Sequence, residues 1–222
     1  MGIWKIVMLQ NGGGSRRPRG RPQIRCDEAT RDLVIAAASG EFQSRGYAAT
    51  SMVVVAQLAG ISTKTLYRLF PAKEALFGMV VSHRIGQFML AVDPATIDRL
   101  GLAEGLEQIL IAYGDLALAA ETIAILRLVI GEGDRFPEIA RLFHEVAMVN
   151  TSRIIESWLD RQIERGLLRL EDTQAASGML RGMMAEQTRR AVMLGQRAAP
   201  GAAEIAARAR VCARLFLHGC AL

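Results

Sequence analysis

Little in this 222-residue chain could cross-link it, chelate a metal or catalyse a reaction. Its three cysteines, Cys26, Cys212 and Cys220, are odd in number and show no CxxC spacing. They make neither a disulfide framework nor a zinc site, and read as reduced thiols of an intracellular, cytoplasmic protein. The histidines, His83, His144 and His218, are scattered, and HExxH, GxSxG and a Gly-rich phosphate loop are all missing. His144 beside Glu145 reads as a helix-surface pair, so the chain does not read as an enzyme, and no metal or cofactor is expected. No apolar run reaches the roughly 18 residues of a membrane span. The opening "MGIWKIVML" is short and lacks a small-residue cleavage site, which makes it a poor signal peptide. No membrane partner is expected.

Aromatics make up only 5% of residues, and β-branched residues rarely alternate, which disfavours strands. What is abundant is Ala and Leu, the composition of an all-α protein. Charge is uneven. Residues 1–80 carry 11 Lys/Arg against 5 Asp/Glu, whereas residues 81–222 carry 16 against 17. A basic first third on a neutral remainder suits either a polyanion-binding module or a solvated basic tail. Residues 1–24 read as a flexible basic arm, 25–75 as a three-helix unit, and 76–222 as a larger helical bundle.

Gly46, Gly60, Pro71 and the pair Asp93-Pro94 punctuate the first half. Helical periodicity predicts a helix from about Asp27 to Arg45 that stops at Gly46. A second, "MVVVAQLA", is capped by Thr50 or Ser51. A third, "TKTLYRLF", is capped by Ser62 or Thr63 and closed by Pro71. A fourth runs to about Val92. Further helices are predicted near 104–120, 121–131, 138–166, 173–196 and 202–218.

Residues 52–70 meet the steric demands of a helix-turn-helix. Ala56 allows two helices to cross closely, and Gly60 tolerates positive φ in the turn. Val55, Ala59, Ile61, Leu66 and Leu69 supply the apolar positions on both sides. With Leu66, Leu69 and Phe70 buried, the opposite side offers Thr63, Lys64, Thr65, Tyr67 and Arg68 to the major groove of DNA. Lys73, at the start of the next helix, is placed to meet a phosphate. The arm carries "PRGRP". Arg16, Arg17, Arg19 and Arg21 there fit a narrow minor groove, or form a generic basic tail.

Residues 46–77, "GYAATSMVVVAQLAGISTKTLYRLFPAKEALF", closely resemble the DNA-binding signature of TetR-family (tetracycline-repressor-like) regulators. "GEGDRFPEIARLFHE", residues 131–145, is similar to the C-terminal domain of one TetR subgroup. The resemblance implies a homodimer on a palindromic operator, and a helical domain that binds a small ligand and dimerises through its last two long helices. It implies DNA contacts at Thr50 or Ser51, Thr63, Lys64, Thr65, Tyr67 and Lys73. Met52-Val53-Val54 departs from the pattern, placing valine where the family often has an acidic or polar residue.

For the dimer, Ile205, Ala209, Cys212 and Phe216 form one stripe, and Leu180, Met183, Met184 and Gln187 share a face on the preceding helix. For a largely apolar effector, Tyr113, Phe143, Met148, Asn150 and Trp158 mix bulk with isolated polar groups. No charge cluster marks a strongly ionic ligand. A ligand that favours a different spacing of the recognition helices would release the operator, with the fourth helix as lever. The alternative is a DNA-binding helical protein without small-molecule control, an activator or a nonspecific DNA-coating protein.

Overall fold

The computed structural model describes residues 27–220, with side chains to Gly219. The arm 1–24, with Arg16, Arg17, Arg19 and Arg21, lies outside the described residues, as does Cys26. No strand occurs among the described residues. Helix α1 is Asp27–Ala49, interrupted at Gly46, whose φ of 77° and ψ of 177° are non-helical. Its regular part therefore ends at Arg45, where glycine was expected to stop it. Helix α2 (Met52–Leu58) and α3 (Thr63–Leu69) come after it, separated by Gly60 at φ 66°. The Ser62 hydroxyl caps α3 by accepting from Thr65 N at 3.1 Å. Ser51 sits at the N-cap of α2 but makes no side-chain cap bond. Phe70 is extended (φ −136°, ψ 96°), as a residue preceding proline must be.

Helix α4 spans Lys73–Ala91, and α5 is a single turn, Pro94–Ile97, capped by the Asp93 carboxylate. Helices α6 (Leu102–Ala117), α7 (Ala120–Glu132) and α8 (Pro137–Phe143) come next. The sequence predicts one helix over 138–166 and one over 173–196. Each instead contains a π-helical turn. His144–Val149 joins α8 to α9 (Asn150–Glu164), and Gly182–Glu186 joins α10 (Thr173–Arg181) to α11 (Gln187–Met193). The last helix, α12, is Ala202–Cys220.

Two apolar cores organise these helices. The first combines Val34, Ala38 and Phe42 of α1 with Val55 and Ala56 of α2, Leu66 and Leu69 of α3, and Leu76 and Phe77 of α4. It continues into Leu128 and Val129 of α7 and Ile139 and Phe143 of α8. Edge-to-face rings reinforce that continuity: Phe42 meets Phe77 at 5.3 Å, and Tyr47 meets Phe136 at 5.1 Å. The second core joins α6, α9, α10 and α12. Gly114 lets α12 press onto α6, since a Cβ there would lie 2.7 Å from Ile205 Cγ2.

Helix α4 threads both cores, with Leu76 and Phe77 in the first and Phe88 in the second. That accounts for a correction to the expectation that nothing here is apolar enough to span a membrane. By length and composition, Lys73–Ile97 is. Leu76, Phe77, Val80, Val81, Ile85 and Phe88 are buried in the two cores, whereas Met79, Met89 and Leu90 are exposed.

Gly46 and Gly60 both hold positive φ, and at ψ 177° Gly46 lies where the backbone is restricted essentially to glycine. A Cβ on Gly46 would run into Glu132 Oε1, whereas nothing lies within 4 Å of one on Gly60. Urea denaturation should therefore show Gly46→Ala losing about 1–3 kcal/mol from backbone strain alone, plus the displaced Glu132. Gly60→Ala should lose only about 1–2 kcal/mol.

Candidate functional site

Burial of Leu66, Leu69 and Phe70 against the first core fixes the roll of α3. Lys64, Tyr67 and Arg68 are thereby exposed, and Thr63 and Thr65 are half-buried. Tyr67 is 47% exposed, unusual for an aromatic side chain with no partner to cover it. Ile61 N donates to Ala56 O at 3.0 Å across the turn, tying α2 to the start of α3. The face is thus a short helix presenting a cation, a phenol and hydroxyls on a rigid support.

Several residues expected on this face are otherwise engaged. Thr50 is buried and its hydroxyl donates to Gly46 O at 2.6 Å, so the exposed Ser51 is the member of that pair facing solvent. Thr65 Oγ1 lies 2.8 Å from Ser62 Oγ and completes the cap. Arg68 makes a two-pronged pair with Asp27, at 3.0 and 2.8 Å, which draws the Asp27 carboxyl below its ordinary range. Both partners are largely in water, where such pairs are weak and exchangeable.

Lys73 departs furthest from expectation. Its ammonium does not stand free for a phosphate; it donates to the carbonyls of Tyr47, Ala48 and Thr50 at 2.6, 3.2 and 3.1 Å. Those bonds use all three of its donors, and the ammonium also sits 4.6 Å from the centroid of the Tyr47 ring. Burial lowers its pKa, with Glu132 and Glu138 opposing the shift. Opposite it, the Glu132 carboxylate accepts from Tyr47 N and Ala48 N, each at 2.8 Å. Burial, with Glu138 and Glu74 nearby, pushes the Tyr47 phenol up to about 12. Residues 47–50, which lead into α2, are therefore held by a cation on their carbonyls and an anion on their amides.

The two helices that supply these charges also wall a chamber. Val81, Arg84 and Ile85 of α4 and Thr122, Ile125 and Leu126 of α7 line it, together with residues of α6, the π turn after α8, and Arg189 of α11. Its space, open mouth included, is about 660 Å³. Of the five residues expected to contact a ligand, Tyr113, Phe143 and Met148 line this chamber. Trp158 does not: it is a core residue of α9 that borders a separate groove near Met89 and Arg161. Asn150 lines neither. Arg84, Thr122 and Arg189 were missed. Arg84, a cation next to apolar Ile85 in the middle of a mostly apolar helix, was the one legible signal. An adjoining recess beside Asp115 shares Arg84 and Thr122.

The expected dimer stripes face inward. Leu180, Met184, Ile205, Ala209 and Cys212 are buried in the second core, and Met183 and Phe216 are half-buried beside it. Burial also raises the Cys212 thiol pKa. The exposed apolar residues of these helices lie on the other side: Met179 at 66%, Val211 at 44% and Leu215 at 63%.

A helix-turn-helix with its polar side outward, sharing its core with a chamber-bearing helical domain, defines a DNA-binding regulator of transcription. Residues 34–80 match the family model for bacterial regulatory proteins of the tetR family, and residues 104–219, over half the chain, match the AefR-like transcriptional repressor C-terminal domain. The chain belongs to the TetR family of transcriptional regulators, which are DNA-binding proteins rather than enzymes.

YhgD of Bacillus subtilis (strain 168), an uncharacterized HTH-type transcriptional regulator, is 27% identical over 136 residues, 61% of this chain and 68% of that one. A structure from Mesorhizobium loti MAFF303099, assigned to the TetR family, is 26% identical, covers 89% of this chain and 100% of its own, and has a TM-score of 0.76. The flavonoid-responsive regulator FrrA is 27% identical, covers 87% and 98%, and has a TM-score of 0.69.

The Glu132 clasp has a measurable strength. Hydrogen bonds to a charged group are worth about 1.5–3 kcal/mol. Glu132→Ala should lose stability in that range by urea denaturation, and Glu132→Gln, which keeps one acceptor, should fall between it and the unaltered protein.

Proposed function

We propose that this chain is a cytoplasmic repressor that holds a palindromic operator as a homodimer and is released by a small, largely apolar effector. The observation that carries the reading is the shared reach of α4 and α7. Each walls the chamber along its length, and each holds residues 47–50 with a terminal charge, Lys73 or Glu132. A ligand that spreads or tilts either helix moves the segment leading into α2 and α3. It shifts the population away from the DNA-binding form in proportion to its preference for the other. FrrA, which is similar along most of its length, is described as flavonoid-responsive, in keeping with effector control here.

On DNA, α3 lies in the major groove with Thr63, Lys64 and Tyr67 leading, and with Ser51 at the backbone. Arg68 joins them once it exchanges Asp27 for a phosphate. Thr65 acts through the cap, while Thr50 and Lys73 position the reader without touching DNA. Arg19 and Arg21 of the arm add minor-groove contacts. Dimerisation uses the exposed Met179, Val211 and Leu215 side of α10 and α12 in place of the buried stripes. Helix α12 is tied to the π turn that continues α10, since Arg208 Nε donates to Met183 O at 2.9 Å.

Footprinting on the intergenic DNA beside the gene should reveal a protected palindrome. In a folded dimer, Lys64→Ala and Tyr67→Ala should each weaken that site about ten- to hundredfold; unchanged affinity would end the reading of α3 as the recognition helix. Leu215→Glu should shift the protein to monomer in sedimentation velocity and abolish the paired footprint, with its helical circular dichroism intact.

A further inference from the structure

We propose that the chamber takes an amphipathic organic acid, with an apolar body against Ile85, Leu126 and Phe143 and one anionic group met by Arg84 and Arg189. This rests on the chamber being the effector site and names the class of molecule that fills it. The sequence pointed to a largely apolar ligand with no strongly ionic character; the walls add an anion-binding element to that. Two guanidiniums stand among mostly apolar side chains and the hydroxyls of Tyr113, Thr122 and Thr151, with no Asp or Glu. Placing a cation against apolar walls is unfavourable unless an anion meets it, and guanidinium is the side chain best shaped for a carboxylate.

Each arginine has a protein partner, but neither is saturated by it. Arg84 pairs through Nη2 with Glu121 at 2.9 Å, and Arg189 pairs through Nη2 with Glu186. Both carboxylates are about half exposed, and neither lines the chamber. Five N–H donors on each guanidinium leave room for a second acceptor, and a pair reaching into water yields readily to a better-placed one.

A separate observation points the same way. Thr122 Oγ1, on the chamber wall, is sealed from solvent and has no hydrogen-bond partner. The other wall threonine, Thr151, is satisfied by the carbonyls of Ala147 and Met148, at 2.6 and 3.1 Å. Buried hydroxyls are rarely left unpaired. Thr122 and Arg84 line the chamber together, so a carboxylate drawn to Arg84 would come near a hydroxyl that lacks an acceptor.

Calorimetric titration of the full-length protein without DNA tests this with two matched pairs: dodecanoate against 1-dodecanol, and 2-naphthoate against 2-naphthalenemethanol. In at least one pair the acid should bind about tenfold or more tightly than the alcohol. Arg84→Met and Arg189→Met keep much of the apolar stem; each should bring the acid toward the alcohol and leave the alcohol unchanged. Arg84→Lys and Arg189→Lys, which keep the charge, should retain most of the preference.

Equal binding of acid and alcohol in both pairs overturns the proposal, as does no binding of any probe up to about 1 mM. So does full acid affinity in both methionine variants. The acid-to-alcohol ratio in the unaltered protein stands by itself should a variant misfold. Because DNA is absent, failure here is distinct from failure of the operator footprint, which tests regulation itself.

Discussion

Everything the reading unit does depends on how residues 46–50 are held. Gly46 turns the chain out of α1 in a conformation side chains resist, exposing two amides and three carbonyls in quick succession. Glu132 satisfies the amides and Lys73 the carbonyls, so opposite charges from two helices grip opposite edges of one peptide segment. Both charges are spent on backbone, and together they set the angle at which α2 and α3 leave α1. The Tyr47 ring, stacked with Phe42 and edge-on to Phe77 and Phe136, packs behind the grip. Charge-assisted bonds on both edges of the segment make the grip a stiff joint.

The chamber gains meaning from that joint. Its walls belong to the same two helices, and small displacements of packed helices pass along rigid elements because cores tolerate discrete rearrangements better than gradual ones. The π turn at His144–Val149 adds to this. Wide turns of this kind recur at functional sites, and this one places both Ala147 and Met148 at the chamber while freeing the Ala147 carbonyl to accept from Thr151.

Much of the reader was legible from local pattern. Val55, Ala56, Ala59, Leu66 and Leu69 are spaced for one packing solution, and Gly60 can adopt the turn that solution needs, so burial of these residues could be inferred from spacing. The expected dimer stripes turned out to be buried in the chain's own second core, for a physical reason. Helix α12 is apolar on two sides: one carries Ile205, Ala209 and Cys212, the other Val211 and Leu215. Periodicity finds both and cannot say which one the protein's own core claims. Asn150 and Trp158 were assigned to the ligand from residue type alone, bulk mixed with isolated polar groups, and type does not say which face of a helix meets the chamber. The Glu132 grip, formed across 85 residues of sequence, leaves no local trace at all. Nor does the engagement of Lys73, whose position alone fitted a phosphate equally well.

The Arg68–Asp27 pair has a consequence for how tightly the protein clings to a duplex. The guanidinium at the end of the recognition helix already carries its own counterion, a carboxylate 41 residues away at the head of α1. A phosphate meeting it there would have to displace that carboxylate, so the guanidinium would add less to adhesion on arbitrary sequence than an unpaired arginine would.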